Sequence, residues 1–316
     1  QEPAPIPAQE EEQDAPEDPK EKYGIGLFSV EDGHDDSHPI CGASCSDSAH
    51  ALPAGKTWQP IKTASELRNA ADGYYYLAND ISLAGSTGIT AWSPKDGVVL
   101  CLNGKSITVE NGQQPTINVG VLDSSAPINF TLTDCHARSE QGKITRAASG
   151  VGPGVQVLPN SIFTMYGGSL VDNGCGVSLT GGTFNMYGGT ISNSTVYGGV
   201  RATYSMNNQT NAYAGGIFNM YDGSITGNTS NYGGGVFVDS DSRRSVAAAF
   251  YMYGGSIMGN SANTLGYGTG GGVYVNAGAT FEVSGDVTIT GNTKDGAKNN
   301  VYLPNGAAMT VGALDA

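Results

Sequence analysis

The residues best suited to chemistry lie close together near the start of the chain. His38, Cys41, Cys45 and His50 follow the spacing His-x2-Cys-x3-Cys-x4-His, with His34 as a spare ligand, and three of the four His fall between 34 and 50. Two thiolates and two imidazoles are the donors of a closed tetrahedral zinc site, which leaves no position open for substrate and would be structural. The competing reading is a Cys41–Cys45 disulfide beside solvated His, natural in an exported protein. The chain has five Cys, an odd number, so they cannot all pair internally. Cys101 in LCLNG and Cys135 in LTDCH occupy consecutive strand-like blocks. They are expected to stack one coil apart, as a disulfide or as two buried thiols. Cys175 in GCGVSL reads as a buried free thiol.

Carboxylate chemistry has little to work with. Asp222 and Asp286 fall at corner positions, and Asp239, Asp241, Arg243 and Arg244 share one insertion. Acid/base cleavage of a polysaccharide needs two clustered carboxylates, which this pattern does not supply. His136 is the only His after residue 50, and no nucleophile turn surrounds it. The reading is therefore non-enzymatic, with a polysaccharide lyase or hydrolase as the alternative. A ligand face is expected instead on Tyr197, Arg201, Tyr204, Asn207, Asn208, Tyr213, Tyr232, Asp239, Asp241, Arg243, Arg244 and Tyr267. Aromatic faces beside amides and charges suit a sugar or a protein epitope.

The elements that must position these residues are legible from composition and repetition. Gly is the commonest residue at 47, and charged residues make up only 14%, which suits many tight corners and few surface helices. The net charge is −14, and residues 1–36 hold twelve Asp/Glu against two Lys. That acidic, Pro-rich stretch reads as a disordered leader. Nothing resembles a basic footprint for nucleic acid, and no apolar run is long enough to span a bilayer. In TASELRNAAD, Thr63 and Glu66 form the pattern of a capping box and mark a short helix.

From residue 74 the signal is strand. After 150 it becomes a repeat opening at Gly154, Gly176, Gly199, Gly235, Gly272 and Asn300, spaced 22, 23, 36, 37 and 28 residues apart. Each unit carries F-x-M-Y-G-G-x-I-x-x-N or a near copy. Phe and Met, two apart, face the same way in a strand. The glycines turn the chain, and the closing Asn tolerates the left-handed region. Stacked coils would place Phe163, Phe184, Phe218, Phe250 and Phe281 in one column, and Met165, Met186, Met220, Met252 and Val283 in another. An Asn row is expected through Asn173, Asn193, Asn228, Asn260 and Asn292. A single coil cannot bury its own face, so the repeat exists to stack. The wider spacings place insertions at 203–215, 239–249 and 261–270, where solenoids build binding surfaces.

These units, the GGGVYV strand openings and the lead-in HPICGASC…H…W resemble right-handed parallel β-helix repeat proteins of bacterial cell surfaces, particularly adhesin-like proteins of gut Gram-positive anaerobes. The likeness spans roughly residues 38–316. It implies an all-β solenoid, a secreted or cell-surface location and a binding role towards host glycans, mucin or secreted host proteins. The expected organisation is a leader over 1–36, a Cys/His cap over 37–62 and a parallel β-helix over 63–316. The chain is read as a monomer without nucleic-acid or membrane partners, and a spacer stalk is a further alternative. It opens at Gln1 without an apolar leader and stops on a coil, which reads as a trimmed piece of something longer.

Overall fold

The computed structural model describes residues 34–42, 48–84, 91–110, 112–122, 126–137, 139–147, 151–207, 211–263 and 270–315. Cys45, Asn208, Tyr267 and the leader up to residue 33 lie outside the described residues. Within them the chain is a parallel β-helix. Three columns of short strands stack coil upon coil, each strand pairing in parallel with its counterpart in the next coil.

The first column runs from Gln59–Ile61 through Gly73–Leu77, Val98–Cys101, Asn129–Thr133, Ile162–Met165, Thr183–Met186 and Ile217–Met220 into Ala249–Met258 and Thr280–Thr290. Coil stacking begins at Gln59–Ile61, which pairs with Tyr75–Leu77. This strand lies within 37–62, the stretch expected as the Cys/His cap. Helix α1 (Ala64–Asn69) follows, closed by the expected capping box between Thr63 and Glu66, and it buries Leu67.

Registers match like with like. Phe163 pairs Phe184, Phe184 pairs Phe218, Phe218 pairs Phe250 and Phe250 pairs Phe281, with the Met column in step. The Phe rings are fully or almost fully buried and stack near-parallel with centroids 4.8–5.0 Å apart from Phe163 to Phe281. Phe130 and edge-on Trp92 extend that stack towards the N-terminal coils. Ring spacing equals strand spacing, so the aromatic column and the hydrogen-bond ladder reinforce each other.

The second column carries Ile107, Ile144, Leu170, Ile191, Ile225, Ile257 and, half-buried, Ile289 on its inner face. The third carries Val155, Val177, Val200, Val236, Val273 and Val301. All three columns feed one continuous apolar core.

The polar row beside this core departs from the expected one at a single residue. Ser194, not Asn193, stands between Asn173 and Asn228, and its backbone N–H donates to Asn228 Oδ1 at 2.9 Å. Asn193 is exposed, at φ +57°. The cause is spacing: Asn173, Asn228 and Asn260 lie ten residues beyond their Phe, whereas Asn193 lies nine beyond Phe184. From Asn228 onward the ladder is complete. Asn228 and Asn260 each donate, through backbone N–H and side-chain amide alike, to the Oδ1 of the next Asn at 2.9–3.0 Å.

The row explains the Gly that opens each unit. A Cβ at Gly235 would lie 2.6 Å from the Gly272 carbonyl oxygen and 3.1 Å from the Asn260 amide nitrogen. In the Tyr-Gly-Gly corners it is the second glycine that turns the chain, for instance Gly189 at φ +84°. Asp222 replaces the first glycine of its unit, while Gly223 keeps φ +105°.

Candidate metal centre and ligand-facing surface

The outer face of the first column is covered by the Cys/His lead-in. Trp58, Tyr76, Ala78, Val99 and Cys101 form a satellite core there, joined by Ile40, Leu52, Tyr74 and Cys135. Trp58 Nε1 donates to the His38 carbonyl at 3.2 Å. His34 stacks on Tyr76 with centroids 3.8 Å apart, and His38 lies on Trp58 at 4.4 Å. Aromatic faces thus hold both imidazoles in place, with the two rings inclined at 73° to each other.

This packing assembles a four-residue cluster. His34, His38, Cys101 and Cys135 each place one ligand atom within 4.8 Å of the other three. His34 Nε2 and His38 Nε2 are 3.1 Å apart. His34 Nδ1 donates to the Asp36 carboxylate at 2.9 Å, and His38 Nδ1 donates to the Pro39 carbonyl at 2.7 Å. Both partners are acceptors, so both rings carry their proton on Nδ1 and present Nε2 lone pairs to the cluster. Burial holds His38 neutral, its pKa lowered to about 4. Burial and then the hydrogen bond to Cys135 push the Cys101 thiol well up, and that same bond draws the Cys135 thiol down. Backbone N–H groups of Asn103 and Asp35 reach Cys101 and Cys135 respectively.

The expected metal set is thereby corrected. Of His38, Cys41, Cys45 and His50, only His38 joins the cluster. Cys41 is disulfide-bonded and has no thiolate to offer, and Cys45 lies outside the described residues. His50 turns to Tyr166, whose hydroxyl meets its Nε2 at 3.2 Å. The spare His34 is the one that belongs. The Cys101–Cys135 disulfide is corrected too, since both are free thiols. Cys101 pairs with Thr133, so Cys135 lies past the end of its strand, and the two thiols meet through a hydrogen bond and not an S–S bond. Cys175 is a buried free thiol, as expected, and burial pushes it up to about 12.

The expected ligand face divides in two. In the first part, strand Val200–Asn207 runs out into a hairpin with Ala212–Gly215, and the next coil raises a second hairpin from Ser240–Asp241 and Val246–Ala247. Tyr204 donates its hydroxyl to Asp241 Oδ2 at 3.1 Å, and Arg244 donates through Nε to the Tyr213 hydroxyl at 3.1 Å. Arg244 also pairs with Asp241 and lies over the Tyr213 ring, while Arg243 bonds Asp241 Oδ1 at 3.4 Å. Burial works against ionisation of Asp241, but donors from Arg243 and Arg244 outweigh it and bring its pKa down to about 2. Asp239 is tied to Asn276 at 3.0 Å. These polar groups are largely spent on one another, so this part braces the corner.

The second part is open. Arg201 lies between the rings of Tyr197 and Phe237, at 5.4 and 5.8 Å from their centroids. Its Nε is buried without a hydrogen-bond partner, and it makes no ion pair among the described residues. Beside it lies a depression of about 260 Å³ lined by Gln113, Gln114, Gln156, Ser178 and Tyr197. Tyr232 packs on Phe237, followed by Tyr274 and Tyr302 up the column. The three glutamines were not singled out from sequence, because nothing in their local pattern marks them.

A further surface feature was missed as well. The Tyr of each F-x-M-Y unit points outward, so Tyr166, Tyr187, Tyr221 and Tyr253 form a stacked stripe with centroids 4.5–5.1 Å apart. The repeat itself carried that signal.

Compared with protein-family models, curated proteins and solved structures, the chain has no match. No helix among the described residues is long and apolar enough to cross a membrane.

Proposed function

We propose that the protein is a non-catalytic, adhesin-like binding module, secreted or held at a bacterial surface. Its β-helix presents the corner surface to host glycans, mucin or secreted host proteins. The observation that carries this reading is Arg201: a guanidinium clamped between two aromatic rings, with a buried N–H lacking a partner, at the edge of a glutamine-lined depression. With no ion pair among the described residues, its guanidinium charge is left to a ligand oxygen at the terminal nitrogens, the buried Nε being out of reach. Tyr197 supplies a flat apolar face of the kind that stacks on a sugar ring, and the glutamines supply paired donors and acceptors. The braced hairpins next to it keep the corner rigid, which lowers the entropy lost on binding.

The test is a binding screen of the purified chain against immobilised mucins, glycan arrays and secreted host proteins, with cleavage products followed in the same wells. Saturable binding without product, weakened at least tenfold by Arg201→Ala and by Tyr197→Ala, is the expected result. Product release would replace the reading with a polysaccharide-active enzyme. Absence of binding in every format would leave a spacer stalk as the function.

A further inference from the structure

The His/Cys cluster lies away from the proposed ligand surface and has a chemistry of its own. Its four donors come from two separate parts of the chain: His34 and His38 from the lead-in, Cys101 and Cys135 from the first column of the solenoid and the turn that follows it. Zinc bound to sulfur at about 2.3 Å and to imidazole nitrogen at about 2.0 Å, in tetrahedral geometry, needs nitrogens about 3.3 Å apart. The Nε2 atoms stand at 3.1 Å.

The surroundings match a metal centre in a second, independent way. Each imidazole donates its Nδ1 proton outward, one to a carboxylate and one to a backbone carbonyl. That arrangement orients a ligating histidine and raises its basicity. It also turns both Nε2 lone pairs towards one point, where a shared proton or a metal cation would relieve their repulsion. His34, His38 and Cys101 are fully or almost fully buried, and Cys135 is half-buried.

We propose that His34, His38, Cys101 and Cys135 bind one zinc(II) ion, which pins the lead-in onto the first coils. Mixed thiolate and imidazole donors in a closed four-coordinate set select zinc over hard cations such as calcium or magnesium. Binding converts two thiols to thiolates and releases two protons to solvent, with no change of oxidation state. All four positions are filled by protein, so the ion holds structure and does not carry out a reaction.

The test uses the full chain, purified without chelator and kept reduced. Elemental analysis should find about one zinc per chain, and cobalt(II) added to the metal-free form should show tetrahedral d–d bands with a thiolate charge-transfer band. The Cys101→Ser/Cys135→Ser variant should lose the metal. Cys175→Ser, His50→Ala and Cys41→Ser/Cys45→Ser should retain it, the last two excluding the set suggested by sequence spacing. Metal removal should expose the lead-in to protease before the coils unfold. The proposal fails if the reduced wild-type chain takes up no zinc or cobalt, or if freshly isolated protein carries a Cys101–Cys135 disulfide. It fails equally if the double Ser variant binds metal as wild type does. The wild-type cobalt spectrum decides the matter even if that variant misfolds.

Discussion

Replacing Asn260 by Ala removes the centre of the buried polar row, and the size of the effect can be worked from its bonds. The Asn260 side-chain amide donates to the Ile225 carbonyl at 2.9 Å, the Met258 carbonyl at 3.2 Å and Asn292 Oδ1 at 3.0 Å. Its Oδ1 accepts from the Asn228 backbone N–H at 3.0 Å and the Asn228 amide at 2.9 Å. The two amide hydrogens are shared among three acceptors, so the side chain makes about four bonds, and at a net ~1 kcal/mol each these set a ceiling of about 4 kcal/mol. Part of this is recovered, because the Asn228 amide keeps its bonds to the Ile191 and Thr226 carbonyls. The expected loss is therefore about 2–3 kcal/mol, in the upper part of the range for a point substitution. Asn193→Ala is the matched control: it removes an exposed Asn at φ +57° and should cost only about 1 kcal/mol, the left-handed penalty. Urea titrations of both variants, with m-values checked against wild type, give the comparison. If Asn260→Ala loses less than about 1 kcal/mol at unchanged m, or no more than Asn193→Ala, the row does not stabilise the solenoid as argued.

The same ladder suggests a gain. Ser194 occupies the row with its hydroxyl buried and unpartnered, opposite the glycine column, so Ser194→Asn should raise stability by about 1–2 kcal/mol in the same titration; a loss would show that the site cannot take the larger side chain. Cys175, pushed up to about 12 by burial, should react with a thiol reagent at neutral pH only after unfolding, roughly a thousandfold slower than an exposed thiol, as mass spectrometry of labelled native protein would show. Asp241 has its folded pKa depressed to about 2 by Arg243 and Arg244, so its contribution is present above the ordinary carboxylate pKa and is lost as pH falls through about 2. A carboxyl NMR titration placing Asp241 at or above 4 would contradict the brace.

Sequence alone determined the periodic part of this molecule. Phe184, Met186, Gly189 and Ile191 each take their role from neighbours at fixed spacing, and an identical spacing in the next unit places like on like. Even the displaced Asn193 was within reach of counting residues from Phe184. Thr63 and Glu66 were legible for the same reason, since a capping box closes within one turn. What sequence could not decide was which distant residues meet. Local spacing favoured Cys41, Cys45 and His50 beside His38, whereas the path of the lead-in over the outer face of the first column brought Cys101 and Cys135 to His34 and His38. Likewise Tyr204 and Tyr213 looked available for a ligand until the next coil supplied Asp241 and Arg244 to engage them, and Arg201 gained Gln113 and Gln114 from a corner nearly ninety residues earlier. The repeat is a local, self-reporting pattern because each coil buries its face on a copy of itself. The sites form where non-repeating segments cross the coils, and only the wound chain determines which side chains then share a point in space.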